Sequence, residues 1–260
     1  MMPAEPPVYG VLGTRLRSTS YPELTDYCHE RSTQGGVVSI DFTNTQIVTM
    51  RCLDCDFRDQ TSTVDLFIPD GMPLIWCLNR QGAGLKDRVY GPTFMRYCLT
   101  HSPASHTHYL LGGSPDCLRQ LSEKALGWNK DLRIVGQRHG YFKPQDNHSI
   151  VEEINRLSPD FIWVGLGTPK QQAWIHAHKH RIDRGLLMAV GFAFDVNAGT
   201  KADAPDWMQR WGLGWLFRLF SEPRRLLTRY AFYNTSFLWL LFKGYLSGRI
   251  WSKDIPSQPT

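Results

Sequence analysis

The feature that most constrains this chain is a unit that recurs along it. A short, nearly continuous apolar run leads into a glycine-bearing or polar turn, and a stretch with helical spacing follows. Phe161–Gly165 (F-I-W-V-G) runs into Leu-Gly-Thr-Pro-Lys, and Leu186–Val190 runs into Gly-Phe-Ala-Phe-Asp. The same grammar holds for V-V-S-I-D-F before Thr43-Asn44, V-D-L-F-I-P before Asp70-Gly71, His108–Leu111 before Gly112-Gly113, and Leu132–Val135 before G-Q-R-H-G-Y-F-K-P. Apolar runs without alternation are what strands covered on both faces require. Strands alternating with helices across short loops predict an α/β fold: a doubly wound, mostly parallel, Rossmann-like sheet. Such sheets take ligands at the C-terminal ends of their strands. Asn44, Asp70, Gly112, Gly140, Gly165–Lys170 and Gly191–Asp195 all fall just past strand ends, so six turns are expected to converge on one edge.

Residues 1–20 read as a proline-rich arm, followed by a helix over Tyr21–Arg31. Further helices are expected after a cap at Thr43, Asn44 or Thr45, over M-P-L-I-W-C-L-N-R, and over Pro92–Thr100, Pro115–Leu126, Ile150–Leu157 and Pro169–Arg181. From Lys201 the character changes. Residues 201–260 hold nine Lys/Arg against four Asp/Glu and 13 of the 32 aromatic residues, while the first 200 carry 20 charges of each sign. The division expected is an α/β core over 1–200 and a helical, aromatic and basic appendage over 201–260, with helices around Trp207–Phe220 and Arg224–Leu246. Basic charge mixed with Trp, Phe and Leu suits a membrane interface with anionic headgroups, or nucleic acid. Self-association is the other way to cover such a surface. The opening M-M-P-A-E-P-P has neither a charged n-region nor an apolar h-region, and the run Phe237–Phe242 is far short of the roughly 20 residues a spanning helix needs. The expectation is a cytoplasmic protein, at most peripheral to a membrane, with six reduced thiols.

Several residues could carry chemistry. Asp70, at a strand end before glycine and a helix, could act as general base on a sugar hydroxyl or could only cap that helix. Gly165, Gly167, Lys170 and Gln171 lie in a turn that opens a helix, a place suited to an anion because backbone amides point outward there. This turn is not G-x-G-x-x-G and lacks the later acidic residue of a dinucleotide fingerprint. Asp54-Cys55-Asp56 could be a D-x-D metal clamp, but Arg51 and Arg58 flank it and a solvated charge cluster is the better reading. Cys52-x-x-Cys55 has no second ligand pair at zinc spacing, and His176 and His180, one turn apart, have no acidic partner nearby in sequence. There is no G-x-S-x-G and no P-loop lysine motif. Arg218, Arg224, Arg225 and Arg229 form a cluster suited to clamping a diphosphate, or to meeting lipid headgroups.

Taken in order, Asn44, Asp70-Gly71, Arg88-Val-Tyr-Gly91, Leu111-Gly-Gly113, Gly140-Tyr-Phe142, Gly165-Leu-Gly-Thr-Pro-Lys-Gln171, Phe194-Asp195 with Gly199, Ala204-Pro205, Gly212-Leu213, Trp215, Arg218-Leu219 and Glu222-Pro-Arg-Arg225 resemble the WecG/TagA/CpsF family of bacterial glycosyltransferases. The resemblance runs from about Val37 to Leu238. It implies an inverting, metal-independent transferase with no cofactor. Such an enzyme moves a hexosyl or N-acetylhexosaminyl group from a UDP-sugar to a polyprenyl-diphosphate-linked acceptor on the inner face of the cytoplasmic membrane, in exopolysaccharide or cell-wall synthesis. It resolves the tail toward a lipid surface, with no nucleic acid as partner. By the same matching, Asp70 is the base, with Asn44 and Thr43 holding a sugar. Arg88, Gly112, Gly140, Tyr141, Gly165, Gly167, Lys170, Gln171, Asp195 and Arg224 bind substrate, while Arg218 and Arg225 attend the diphosphate.

The chain departs from the family pattern at Phe42, Thr93, Gln172 and Gly214. Two other readings stand beside this one. The first is a scaffold protein of a polysaccharide assembly complex that has kept the fold and lost the activity. The second is a nicotinamide-dependent enzyme, which the missing glycine fingerprint disfavours.

Overall fold

A computed structural model describes residues 5–246. Within them, eight strands form one sheet in the order β1-β2-β4-β3-β8-β7-β5-β6. They are β1 (Val8–Val11), β2 (Thr14–Arg17), β3 (Gly36–Thr43), β4 (Leu66–Pro69), β5 (Thr107–Gly112), β6 (Arg133–Arg138), β7 (Phe161–Gly165) and β8 (Arg184–Ala189). In this sheet only the β1/β2 pair is antiparallel; every other pairing is parallel. The parallel sheet expected from the apolar runs is therefore present, and the strand ends expected to converge do share an edge.

Among the described residues, twelve α-helices cover it: α1 (Tyr21–Ser32), α2 (Thr45–Leu53), α3 (Cys55–Gln60), α4 (Met72–Asn79), α5 (Gly91–Thr100), α6 (Pro115–Trp128), α7 (Asn147–Leu157), α8 (Lys170–His178), α9 (Ala193–Ala198), α10 (Asp206–Arg210), α11 (Gly214–Ser221) and α12 (Pro223–Leu246). β7 shows why the strands read as unbroken apolar runs. Phe161 and Trp163 enter the core beneath α1, α5, α6 and α9, while Ile162 and Val164 enter the opposite core beneath α7 and α8, and none of the four is exposed. Fully burying a side chain of this size contributes about 2 to 3 kcal/mol. The one polar atom in this set is satisfied, as a buried donor must be: the Trp163 indole N–H donates to His108 Nδ1 at 3.2 Å. His108 Nε2 then carries the proton and donates to Ser102 Oγ at 2.7 Å. Burial pushes the imidazole of His108 down to about 3, so the ring stays neutral.

Residues 8–17, expected to be an arm, are a hairpin. Leu12 and Gly13 both have positive φ, 48° and 75°, and a two-residue turn of that hand matches the twist of the flanking strands. Asn-Gly or Asp-Gly would have announced it; Leu-Gly does not. The hairpin caps the sheet edge, with Val11 and Leu16 packed against Phe67, Val48 and Leu74. A helix over Trp207–Phe220 was also expected. Gly212, at φ 71°, breaks it into α10 and α11 where the chain presses on Met72. Finally, α12 is not merely attached. It lies along α2, with Phe237 buried against Val48 and Phe67, and Tyr233 against Ile47 and Met50. Its opposite face leaves Phe232, Leu238, Trp239 and Phe242 more than half exposed. The final stretch of the expected appendage, 247–260, lies outside the described residues.

Candidate active site

A cavity of about 540 Å³ opens at the C-terminal ends of β3 to β8. Asn44, Asp70, Gly140, Tyr141, Gly165, Gly167, Lys170, Gln171, Asp195 and Arg218 all line it, so the structure brings together residues scattered over 175 positions. Asn44 is the N-cap of α2, its side-chain oxygen accepting from the Ile47 N–H at 3.2 Å. That leaves its NH2 group as the donor it can offer to the cavity.

Asp70 does not cap α4. The cap position is Gly71, without a side-chain bond. The backbone N–H of Asp70 donates to the Thr43 carbonyl at 2.8 Å, and its carbonyl accepts from Arg88 Nη1 at 3.0 Å. The carboxyl is thus fixed from behind. Its Oδ1 is buried without a hydrogen-bond partner within the protein, a situation buried carboxylate oxygens normally avoid. Burial pushes the Asp70 carboxyl up to about 7. Arg88, the Gly91 backbone N–H and Arg218 pull it back, and Asp41 pushes it further up. A carboxyl poised near neutrality and aimed at a cavity can accept a proton from a hydroxyl and release it later.

Two glycine turns set the wall opposite. A Cβ on Gly112 would meet the Gly165 backbone at 2.5 Å, so Gly112 serves the close approach of β5 and β7 and does not itself line the cavity. The loop after β6 is tied in by the Gly140 N–H, which donates to the Gly113 carbonyl at 2.8 Å. Gln171 is buried, and its side-chain oxygen accepts from the Gly167 N–H at 3.2 Å, so it shapes the turn as well as lining it. Tyr141, 76% exposed, presents its ring at the cavity rim, whereas Lys170 is exposed on the first turn of α8. Asp195 lines the cavity too, its carboxylate accepting from Thr200 Oγ1 at 3.0 Å.

The C-terminal helices close the cavity from above. The Arg218 guanidinium lies 3.9 Å from the Phe192 ring centroid. Lys201 and Arg229 line the cavity beside it, with Lys201 paired to Glu222 at 2.9 Å. Lys201, Phe192 and Tyr90 do not stand out in the sequence as site residues. A cation six positions past Asp195 is the available signal for Lys201; Phe192 lies within the Gly191–Asp195 turn and Tyr90 within the Arg88–Gly91 motif, but neither side chain is marked by itself. Besides Gly112, three expected residues stand elsewhere. Thr43 is fully buried behind the cavity, its hydroxyl bonded to the Asp41 carboxylate. Arg88 backs Asp70 and is not part of the lining. Arg224 is exposed on α12 and also outside it. The Arg225 side chain lies outside the described residues.

The remaining motifs have structural uses. Asp54 caps α3, accepting from the Phe57 N–H at 3.0 Å. Cys52 Sγ donates to the Leu12 carbonyl. His176 Nδ1 faces Thr63 Oγ1 at 3.3 Å. All six cysteines are free thiols. Among the described residues no helix is long and apolar enough to cross a membrane.

A sequence model of the Glycosyl transferase WecG/TagA/CpsF family matches residues 9–250. A protein of Bacillus subtilis (strain 168) named N-acetylglucosaminyldiphosphoundecaprenol N-acetyl-beta-D-mannosaminyltransferase is 28% identical over 192 residues, which is 74% of this chain and 73% of that protein. A Staphylococcus aureus (strain MRSA252) protein of the same name is 26% identical over 183 residues, 70% of this chain and 72% of that one.

Proposed function

This chain belongs to the WecG/TagA/CpsF family of glycosyl transferases, and from that premise we propose that Asp70 is the base of an inverting sugar transfer from a UDP-sugar to a saccharide on polyprenyl diphosphate. The observation that carries this reading is the Asp70 carboxyl: on a residue that lines the cavity, pushed up to about 7 by burial, with one oxygen unsatisfied by the protein. An acceptor hydroxyl bound there donates its hydrogen bond to Oδ1. As the hydroxyl oxygen attacks the anomeric carbon, its proton passes to Asp70, the new glycosidic bond forms and the bond from that carbon to the UDP oxygen breaks. Attack opposite the leaving group inverts the anomeric centre in one displacement. The negative charge that develops on the diphosphate falls where Arg218, Arg229 and Lys201 gather, and the turn Gly165–Lys170 supplies the helix N-terminus suited to phosphate. The Tyr141 ring and the Asp195 carboxylate, both on the cavity lining, suit a base and a ribose.

Both relatives are named for an N-acetylglucosaminyl-diphosphoundecaprenol acceptor, which supports a lipid-linked acceptor here. The exposed aromatic face of α10 to α12 supports delivery of that acceptor from a membrane surface. Trp207, Trp211, Phe220 and Trp239 are each at least 60% exposed, on elements that also carry Arg210, Arg224 and Lys243. Such a face suits peripheral attachment to anionic lipid on the cytoplasmic side. Residues 201–246 then act as an appendage that both meets the membrane and roofs the site.

The test is a panel of UDP-sugars in EDTA, with and without a short-chain polyprenyl-diphosphate saccharide, read by thermal shift and UDP release. The expected result is stabilisation by UDP, and acceptor-dependent UDP release with one donor class. Binding of UDP with no release for any donor and acceptor pair would favour the scaffold reading. The absence of any response to uridine nucleotides would remove the proposal.

A further inference from the structure

Arg88, expected among the substrate-binding residues, instead belongs to a closed circuit. Its Nη1 donates to the Asp70 carbonyl at 3.0 Å, and its Nη2 donates to Gln209 Oε1 at 3.4 Å. Gln209 Nε2 donates to Asp203 Oδ2 at 3.0 Å and to the Ala204 carbonyl at 2.8 Å. Asp203 Oδ1 accepts from the Tyr90 hydroxyl at 2.9 Å. The Tyr90 ring closes the loop, because the Arg88 guanidinium lies 4.4 Å from its centroid. Two members stand in the segment between α4 and α5, immediately behind the base. The other two stand where the chain leaves the core for its last three helices.

The circuit also fixes what comes next. The Leu213 N–H bonds back to the Met208 carbonyl at 2.7 Å, Gly212 turns against Met72, and α11 starts at Gly214. One turn later Arg218 reaches the cavity. The groups that act on the Asp70 carboxyl from the elements around it are therefore few. Arg88 and Arg218 favour its charged form, and Asp41 on β3 opposes it. The phenols of Tyr21 and Tyr90 are pushed up by burial and stay neutral hydroxyls. Both favourable cations hang on the circuit, one directly and one through the start of α11.

We propose that Arg88, Tyr90, Asp203 and Gln209 form a clamp that makes the base at Asp70 depend on seating of the C-terminal helices. Asp203 and Gln209 stand outside the cavity lining and Tyr90 is on it, and all three are positioning residues that act through Arg88 and Arg218. With the clamp closed, two guanidinium groups favour the ionised form of Asp70, which can accept the acceptor's proton. With it open, Arg88 loses its Gln209 anchor and Arg218 its starting point. Asp70 then keeps a proton at neutral pH and cannot take another. The inference rests on the reading of Asp70 as the base.

The experiment is the pH dependence of kcat/KM from pH 5.5 to 9 for the wild type, Gln209→Leu, Tyr90→Phe and Asp70→Asn, each checked for native far-UV circular dichroism. Gln209→Leu is expected to move the acid limb upward by on the order of one pH unit. That appears as a deficit about tenfold larger at pH 5.5 than at pH 9, on top of any pH-independent loss from a displaced Arg218. Tyr90→Phe, which removes one oxygen, moves it the same way by less, and decides the matter if Gln209→Leu does not fold. A deficit that is equal at every pH, or no deficit, overturns the clamp. Asp70→Asn separates the two readings. If it turns over normally, the base assignment falls and takes the clamp with it. If it is inactive while the Gln209→Leu deficit is flat with pH, only the clamp falls.

Discussion

Replacing Asp70 with asparagine should abolish transfer and stabilise the fold, and the stabilisation should grow with pH. In the native state burial pushes this carboxyl from 3.8 up to about 7. Between those values the native protein binds a proton that the unfolded chain has released, so stability falls as pH rises from 3.8 through 7 and is level above it. This is the reverse of the usual salt-bridged carboxylate. Each pH unit that separates the native from the unfolded value is worth about 1.4 kcal/mol, so the ionised side chain costs the native state roughly 4 kcal/mol at pH 8, roughly 2 at pH 5 and under about 1 at pH 4. Relaxation around the charge makes these ceilings. Asparagine has nothing to ionise, so the constant difference between the two side chains cancels when variant and wild type are compared across pH. With about 2 to 3 °C per kcal/mol for a chain of this size, the Tm advantage of Asp70→Asn should widen by up to roughly 7 to 11 °C from pH 4 to pH 8. Thermal unfolding followed by circular dichroism at five pH values measures it. A Tm difference that does not change with pH, or one that narrows as pH rises, would refute the argument that Asp70 is held in an environment hostile to its charge.

Other outcomes follow from the same geometry. Arg218→Ala removes the guanidinium stacked on Phe192 at the cavity roof; turnover should fall by about 10² to 10³ while Tm stays near the wild-type value, as steady-state kinetics and unfolding scans will report. His108, and to a lesser degree His29, should make the protein acid-labile. Burial pushes them down to about 3 and about 4, so the stability they secure is complete above the unfolded value near 6.5 and is lost as pH falls toward those values. Urea titrations at pH 7, 6 and 5 should show the decline, and His108→Gln should flatten it. Exchanging Trp239 and Phe242 for glutamate on the exposed face of α12 should cut co-sedimentation with phosphatidylglycerol vesicles several-fold, without loss of helical signal.

How far the sequence foretells the molecule can be seen element by element. The β-strand ends are legible because a strand buried on both faces leaves an unbroken apolar run, and Phe161–Gly165 is delimited to the residue. Since ligands in such sheets sit beyond those ends, Asn44, Asp70 and Gly165–Gln171 can be placed at one cavity from the sequence alone. The β1–β2 hairpin escapes such reading because its turn is Leu-Gly and each strand has four residues, too few for alternation to register. The break at Gly212 escapes it because helical spacing continues across it, and only the contact with Met72 demands the turn. Arg88 falls on the unexpected side of Asp70 for a related reason. A motif shows that an arginine is near the site, but the hydrogen bond from Tyr90 to Asp203 that explains its orientation joins residues 113 positions apart. Pairings of that range depend on the packed fold and leave no local periodicity.

In the mechanism we propose, Asp70 accepts a proton while a sugar leaves UDP for a lipid-diphosphate acceptor. Its most direct test is UDP release by wild type and Asp70→Asn in EDTA at pH 8, with the donor identified by the panel and a polyprenyl-diphosphate saccharide acceptor. The account predicts acceptor-dependent release by the wild type, and release at the no-enzyme level by a variant that still binds UDP. Equal release by the two proteins would contradict it.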